Sequence, residues 1–292
     1  MHKIYIAGCP RSGTTLLASI IAKNEKIVCT PESQFKFEFF KAKDANLNSK
    51  SAKWRLRTWG ESFNDEELEK IGDYNTAMQY LVVKYSRLNN LNVDIDKLIW
   101  LDHTPSNGLF SEELLNNDKN SQMIFIIRDP RAVFQSVIKL PWGARSAKEL
   151  VKIWMQYLSI ACLAKEKYPE RVMIIRYEDL VLSKEDTLFK ISKFVGFDFK
   201  GSNTAYKVPM HSKKQHSLIG KEISKERVES WKQDINSLDA MYIEEQCKSQ
   251  LLLLDYEIHG FKKIRMSDYI DRCLTSINNN IGLYYTRFIR RL

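Results

Sequence analysis

The sequence predicts an α/β fold, a parallel β-sheet flanked by helices in three α/β/α layers, and three observations predict it. Short apolar runs rich in Ile and Val alternate with longer segments of helical periodicity. A glycine-bearing turn follows the first of these runs directly and opens a helix. The longest apolar runs, QMIFII and SQLLLL, fall far short of the ~18 residues that a membrane-spanning helix needs, which assigns them to a folded core.

Taken in order, the strands are expected at Lys3–Ala7, Ile27–Cys29, Leu98–Leu101, Gln122–Ile127 and Arg171–Arg176. Helices are expected near Thr14–Lys23, Glu66–Asn89, Arg131–Lys139, Ser146–Lys167 and Lys184–Val195. Ser146 with Glu149, and Ser183 with Asp186, have the spacing in which a hydroxyl caps a helix start and an acid answers it three residues on. The stretch around 36–96 is charged and helix-like and is expected beside the sheet as an insertion or lid. Residues 200–222 mix Gly, Pro, Ser, His and Lys without periodicity and read as a long functional loop. With no repeat, low-complexity tract or linker, residues 1–292 are expected to form one domain, ending in a basic helical tail around 262–292.

Composition sets further limits. A chain of 292 residues buries roughly three quarters of its unfolded surface and needs no staples. At 44% hydrophobic and 28% charged it is neither collagen, coiled coil nor disordered polar chain. Its five cysteines (Cys9, Cys29, Cys162, Cys247, Cys273) form no CxxC pair, and their odd number argues against a disulfide framework. KIYIAG reads as a core strand from residue 3, leaving no room for a signal peptide, so the expected location is cytoplasmic. The net charge of +9 points to an anionic partner: nucleic acid, anionic lipid or a phosphorylated cofactor. Residues 262–292 carry seven Lys/Arg against two Asp, a net of +5.

The sharpest local signal is the turn GCPRSGTT after the first strand. Gly8 and Gly13 have the G-x4-G spacing of a phosphate-cradling loop, and Thr14 and Thr15 follow. Such a loop aims several backbone N–H groups and the positive end of a helix at one point, where phosphate or sulfate fits. Thr14 stands where nucleoside-triphosphatase loops carry Lys, and Arg11 supplies a planar forked donor instead. The plain alternative is a helix start with a tight turn.

The PRSGTTLL loop resembles the 5′-phosphosulfate loop of sulfotransferases that use 3′-phosphoadenosine 5′-phosphosulfate (PAPS). MIFIIRDPRAVFQSVIK resembles that family's 3′-phosphate motif, with Arg128 ending a strand, Asp129-Pro130-Arg131 next and Ser136 on the following helix. IIRYEDLV matches the next strand with its tyrosine, Tyr177, and ERVESWKQDI resembles the late segment whose Ser230-Trp231 pair closes over the cofactor. Together the segments span residue 4 to about 235 in the family's order. The subgroup resembled contains bacterial sulfotransferases and, more distantly, tyrosylprotein sulfotransferases. The resemblance implies a P-loop-type sheet, PAPS as donor, adenosine 3′,5′-bisphosphate (PAP) as product and no metal. It implies Arg11, Ser12, Gly13, Thr14 and Thr15 at the phosphosulfate, and Arg128 and Ser136 at the 3′-phosphate. Tyr177 goes with the 3′-phosphate or adenine side, and Ser230 and Trp231 with cofactor or transition state.

These residue types also make sense on their own. Pro130 presets helical φ at a first turn, where its missing N–H would be orphaned anyway. Arg128 stands at a strand's carboxyl end, where open α/β sheets place ligands, and Ser136 lies about two helical turns on. An arginine fork with a hydroxyl suits a phosphate dianion. The plain alternatives are a surface salt bridge for Arg128, an exposed helix arginine for Arg131 and a core position for Trp231.

Sulfuryl transfer to a hydroxyl needs a base for the acceptor proton and donors for charge on the bridging oxygen. In the subgroup resembled, the base is a Glu in the loop after the second strand, which makes Glu32 of TPESQF the expected base. His103 of LDHTPSN is the rival. The tyrosylprotein branch carries a stabilising Lys at this site, while the cytosolic small-molecule branch has a His that is itself the base. With His here, the order expected is Glu32 as base and His103 as stabiliser, beside Arg11.

Two other function classes compete. LIWLD ends in Asp102 like the strand that holds Mg²⁺ in P-loop kinases, against which stand Thr14 and the RDPRAVFQS segment. A polyanion-binding protein without enzymatic activity is the other, but no RNA- or DNA-binding module matches, so no nucleic-acid partner is expected. The acceptor hydroxyl is expected on a carbohydrate or glycolipid, with a peptide tyrosine or small alcohol or phenol open. In the tail, Ile270, Leu274, Ile277, Ile281, Tyr284, Tyr285 and Phe288 form a helical stripe with arginines beside it. It is read as packing on the protein itself or a partner subunit, with weak contact to an anionic membrane surface as the alternative.

Overall fold

A computed structural model describes residues 1–41, 47, 49–59, 72–91, 94–199 and 226–260, and positions 266, 269, 270 and 272. The loop expected at 200–222 and nearly all of the tail at 262–292 lie outside the described residues. Five strands form one sheet: β1 His2–Ala7, β2 Ile27–Cys29, β3 Ile99–Asp102, β4 Gln122–Ile127 and β5 Val172–Arg176. Their order is β2-β3-β1-β4-β5, and β1 pairs in parallel with both β3 and β4, as β2 does with β3. Ile4 lies opposite Leu101 on one side and Gln122 on the other. A strand covered on both faces reads as a continuous apolar run, and β1 is buried from Lys3 to Ala7. The apolar runs therefore located all five strands, with bounds shifted by a residue or less.

Helices flank the sheet, as the alternating pattern requires: the parallel-sheet α/β fold expected is the one observed. From β1 the chain builds β2 and β3 on one side and then β4 and β5 on the other. Such an order puts a topological switch at the carboxyl ends of β1 and its neighbours, where open α/β sheets bind ligands.

The chain divides into two compact units. The first comprises Met1–Gly8, Gly13–Ile126 and Ile160–Ile223. Its core includes Tyr5, Val28, Trp100, Phe110 and Phe125, with Tyr5 edge-on to Trp100 at 5.8 Å. Burying one such apolar side chain contributes roughly 1.5–3 kcal/mol. The helices Lys50–Thr58 and Tyr74–Leu88 join the same core through Leu56, Met78 and Leu81, so this part of the expected insertion packs beside the sheet. The second of these helices begins at Tyr74, and the expected start at Glu66 lies outside the described residues. Asp73 is extended and its carboxylate caps the amides of Asn75 and Thr76; residues 60–71 lie outside the described residues.

The second unit comprises Cys9–Ser12, Ile127–Ser159 and Ser224–Leu292. Within it the helix Pro130–Val137 packs on the short helix Trp231–Asp234 and on Ser237–Gln246. The helix Ala147–Lys167 starts where the expected cap puts it, with Ser146 Oγ accepting from the Glu149 amide at 3.2 Å. At Ser183, in the first unit, the cap is not made. That residue already ends the helix Tyr177–Leu182, its amide donating to Asp179 O, and its ψ of 53° lies outside the extended range that capping needs. Among the described residues, Cys9, Cys29, Cys162 and Cys247 are free thiols, and no helix is long and apolar enough to cross a membrane.

Candidate functional site

In the first unit, the predicted residues leave from the carboxyl ends of four strands. Gly8 follows β1, Glu32 lies three residues past β2, His103 follows β3 and Tyr177 follows β5. Gly8 donates its amide to Pro105 O at 3.3 Å, and a Cβ here would run into Ile126 O. Gly13 caps the helix Thr14–Ile21 at φ 103°, a conformation that favours glycine, and its Cβ would lie 2.6 Å from Tyr177 Cδ2. The Tyr177 ring thus backs the loop end, while Thr14 and Thr15 open the helix almost fully buried. No side chain caps this helix start.

The segment carrying Glu32 is held to the end of β3 by a buried polar lattice. Asp102 Oδ2 accepts from Lys36 Nζ at 2.8 Å and Ser33 Oγ at 2.6 Å, and its Oδ1 accepts from the Thr104 amide at 3.0 Å and Oγ1 at 2.5 Å. Thr104 Oγ1 also accepts from the Ser33 amide at 2.8 Å. Both members of the Lys36–Asp102 pair are 0% exposed. Burial opposes the charge of Asp102, but Lys36, Ser33 and Thr104 together hold its carboxyl below the usual carboxylate range. Both oxygens of Asp102, the residue compared with a magnesium-holding aspartate, are thus bonded by donors of the protein itself. Glu32 is half-buried, accepting from Gln34 Nε2 at 3.3 Å, and His103 is buried with Nδ1 3.9 Å from Cys29 Sγ. Burial pushes the Cys29 thiol well up, so it stays protonated near neutrality.

The second unit gathers the remaining residues. Arg11 adopts φ 75°, unusual for a non-glycine residue, and its Nε donates to Ser136 Oγ at 3.1 Å. Arg128 Nη1 donates to the Arg11 carbonyl at 3.1 Å, and Trp154 Nε1 caps the Arg128 carbonyl at 2.9 Å. Arg11 is thus tied to two positions more than a hundred residues away, its guanidinium to the Ser136 hydroxyl and its carbonyl to the Arg128 guanidinium, and guanidiniums and hydroxyls are the donor types suited to a multiply charged anion. Ser12 Oγ is buried and has no hydrogen-bond partner among the described residues. Arg131, read from sequence as an exposed helix arginine, is 2% exposed and bound to Asp129 and Glu244. It lies over Trp231, itself 3% exposed, while Ser230 faces solvent.

The residues that sequence reasoning missed are Lys36, Ser33 and Thr104. Lys36 sits 66 positions from its carboxylate, and nothing around it distinguishes it from a surface lysine. Ser33 and Thr104 lay inside segments already singled out, TPESQF and LDHTPSN, and Lys36 directly follows the first of them. Among the described residues no cluster of His, Cys, Asp and Glu could hold a metal ion.

The sequence profile described as the Sulfotransferase family matches residues 3–201. A protein-tyrosine sulfotransferase of Drosophila melanogaster is 24% identical over 201 residues, which are 67% of this chain and 38% of the fly protein. A putative protein-tyrosine sulfotransferase of Caenorhabditis briggsae is 23% identical over 227 residues, 75% of this chain and 71% of that protein. The chain thus spans well under half of the fly relative's length. Among solved structures, the sulfotransferase domain from the curacin biosynthetic pathway has a TM-score of 0.57 at 19% identity, covering 87% of this chain and 98% of that one. The sulfotransferase domain from the Synechococcus PCC 7002 olefin synthase has a TM-score of 0.54 at 19% identity, covering 88% and 95%. These likenesses show a shared fold.

Proposed function

The chain belongs to the sulfotransferase family, and from that membership we propose that it moves the sulfuryl group of PAPS to an acceptor hydroxyl. The observation that carries this reading is the meeting of Arg11, Arg128 and Ser136, which joins the phosphate loop to a motif more than a hundred residues away. The residues also fit the donor. The buried Ser12 hydroxyl lacks a partner among the described residues, and Gly8 and Gly13 leave no room for a Cβ on the loop.

In this reading Arg128 and Ser136 hold the 3′-phosphate. Arg11, Ser12, Gly13, Thr14 and Thr15 hold the phosphosulfate through side-chain and backbone donors. The donor contributes a sulfur already bonded to a good leaving group. Glu32 takes the acceptor proton as the acceptor oxygen bonds to sulfur, and His103 and Arg11 donate to the bridging oxygen as its bond to sulfur breaks. PAP and the sulfated acceptor leave. Tyr177 backs the phosphosulfate loop on the adenine side, and Trp231 anchors the segment that presents Ser230. A sulfuryl group carries less negative charge than a γ-phosphoryl group, so arginines and backbone donors suffice in place of Mg²⁺.

Our acceptor class is a hydroxyl on a carbohydrate or glycolipid, in the cytoplasm. The second reading is a peptide tyrosine, favoured by the two protein-tyrosine sulfotransferase relatives. The test is mass spectrometry of sugar, glycolipid, tyrosyl-peptide and phenol acceptors incubated with protein and PAPS. A mass gain of one sulfuryl group on one class names the acceptor. Absence of transfer to every acceptor, with PAP failing to bind, overturns the reading.

A further inference from the structure

We infer that Asp102 is a positioning residue for Glu32, acting through Ser33, Lys36 and Thr104. The inference rests on the reading of Glu32 as base. Glu32 stands on a short segment after β2 whose neighbours on both sides are tied down. On one side, Trp100 Nε1 donates to Thr30 Oγ1 at 3.0 Å. On the other, Ser33 gives its amide to Thr104 and its hydroxyl to Asp102, and Lys36 binds Asp102 and the Ser33 hydroxyl, each at 2.8 Å, and also the Ser33 carbonyl.

Asp102 is itself immobilised. Its carbonyl accepts from Asn107 Nδ2, which also bonds Ile6 O in β1, both at 3.0 Å. The next residue in the chain is His103. One carboxylate therefore ties the segment of Glu32 to the end of β3, directly before His103. Such an arrangement is costly to bury, since stripping water from a Lys–Asp pair is repaid only when every remaining donor and acceptor is bonded. Here they are bonded, and the bonds run to the loop that carries Glu32. Holding a base to within a fraction of an ångström is worth far more to turnover than to binding.

Thr104 gives the cleanest test because its hydroxyl bridges Asp102 and the Ser33 amide. Thr104→Val keeps the shape and removes the bridge, and Thr104→Ser keeps the hydroxyl. Turnover at saturating PAPS, per PAP-binding site, should fall on the order of 10²-fold in the valine variant, the loss expected for a misplaced catalytic group. PAP affinity should stay within about twofold, and Thr104→Ser should recover most of the turnover. In a Glu32→Gln background the valine substitution should add nothing, because it acts through the group already removed. If Thr104→Val binds no PAP and is unfolded, the same cycle is run with Ser33→Ala.

A full-turnover Thr104→Val, or a loss of equal size with and without Glu32, overturns the positioning role while the functional reading stands. A wild-type protein that transfers nothing from PAPS, or Glu32→Gln at full turnover, overturns the functional reading itself.

Discussion

The guanidinium of Arg131 sits over the Trp231 ring, 4.1 Å from its centroid, while the same group binds Asp129 and Glu244. Glu244 in turn accepts the amides of His259 at 2.9 Å and Gly260 at 3.0 Å. One arginine at the start of the helix bearing Ser136 thus anchors the segments around residues 231, 244 and 260. It takes part in a buried network and not in solvent.

Removing that cation leaves two carboxylates buried without it. Arg131→Ala should destabilise the protein by about 3–5 kcal/mol, the range for breaking a buried ion pair. Arg131→Lys should recover little, because an ammonium cannot make the forked bonds to Asp129 or lie flat on the indole. Urea unfolding monitored by tryptophan fluorescence checks both, and a loss under about 1 kcal/mol for alanine would place the pair among weak surface bridges.

Arg128→Ala should weaken PAP binding by roughly 2–4 kcal/mol, the loss for removing one partner of a buried charge-assisted pair. Calorimetric titration reads it directly. EDTA should leave wild-type affinity unchanged, and PAP should bind more tightly than ATP. Equal affinity in the variant would separate Arg128 from the 3′-phosphate.

Glu32→Gln should bind PAP nearly normally and lose on the order of 10²–10⁴ in turnover, the usual share of a general base. His103→Ala should lose less. The opposite ranking in steady-state rates reverses the two roles.

The Asp102 carboxyl is held below its ordinary value, so its contribution to stability has a defined sign with pH. It is present in full above the unfolded carboxylate pKa of about 3.9 and is lost as pH falls through the lower folded value. Asp102→Asn should remove that acid-dependent component and destabilise by about 3–5 kcal/mol at neutral pH, because Lys36 loses its counter-charge. Urea midpoints of the two proteins between about pH 3 and 7 should converge toward the acid end. Midpoints that differ by a constant amount would refute the assignment.

Much of the fold was legible along the chain. β2 and β4 lie at the expected residues, as does the helix Lys184–Val195, because a buried parallel strand and an amphipathic helix each leave a periodic apolar pattern. The loop glycines were legible too, since Gly13 at φ 103° meets a backbone requirement that few other residues satisfy. The meeting of Arg11 with Ser136 was foreseeable only through the family resemblance, as the two stand 125 positions apart.

What only the tertiary structure decided are the partners of buried charges. Lys36 finds Asp102 across 66 residues, Arg131 finds Glu244 across 113, and Ser183 fails as a cap because the preceding helix already claims its backbone. Dihedral preference and hydrophobic period act over a few residues and leave a mark in the sequence. A charged side chain looks the same in sequence whether it ends in water or in the core, and packing alone determines which counter-charge lies within reach.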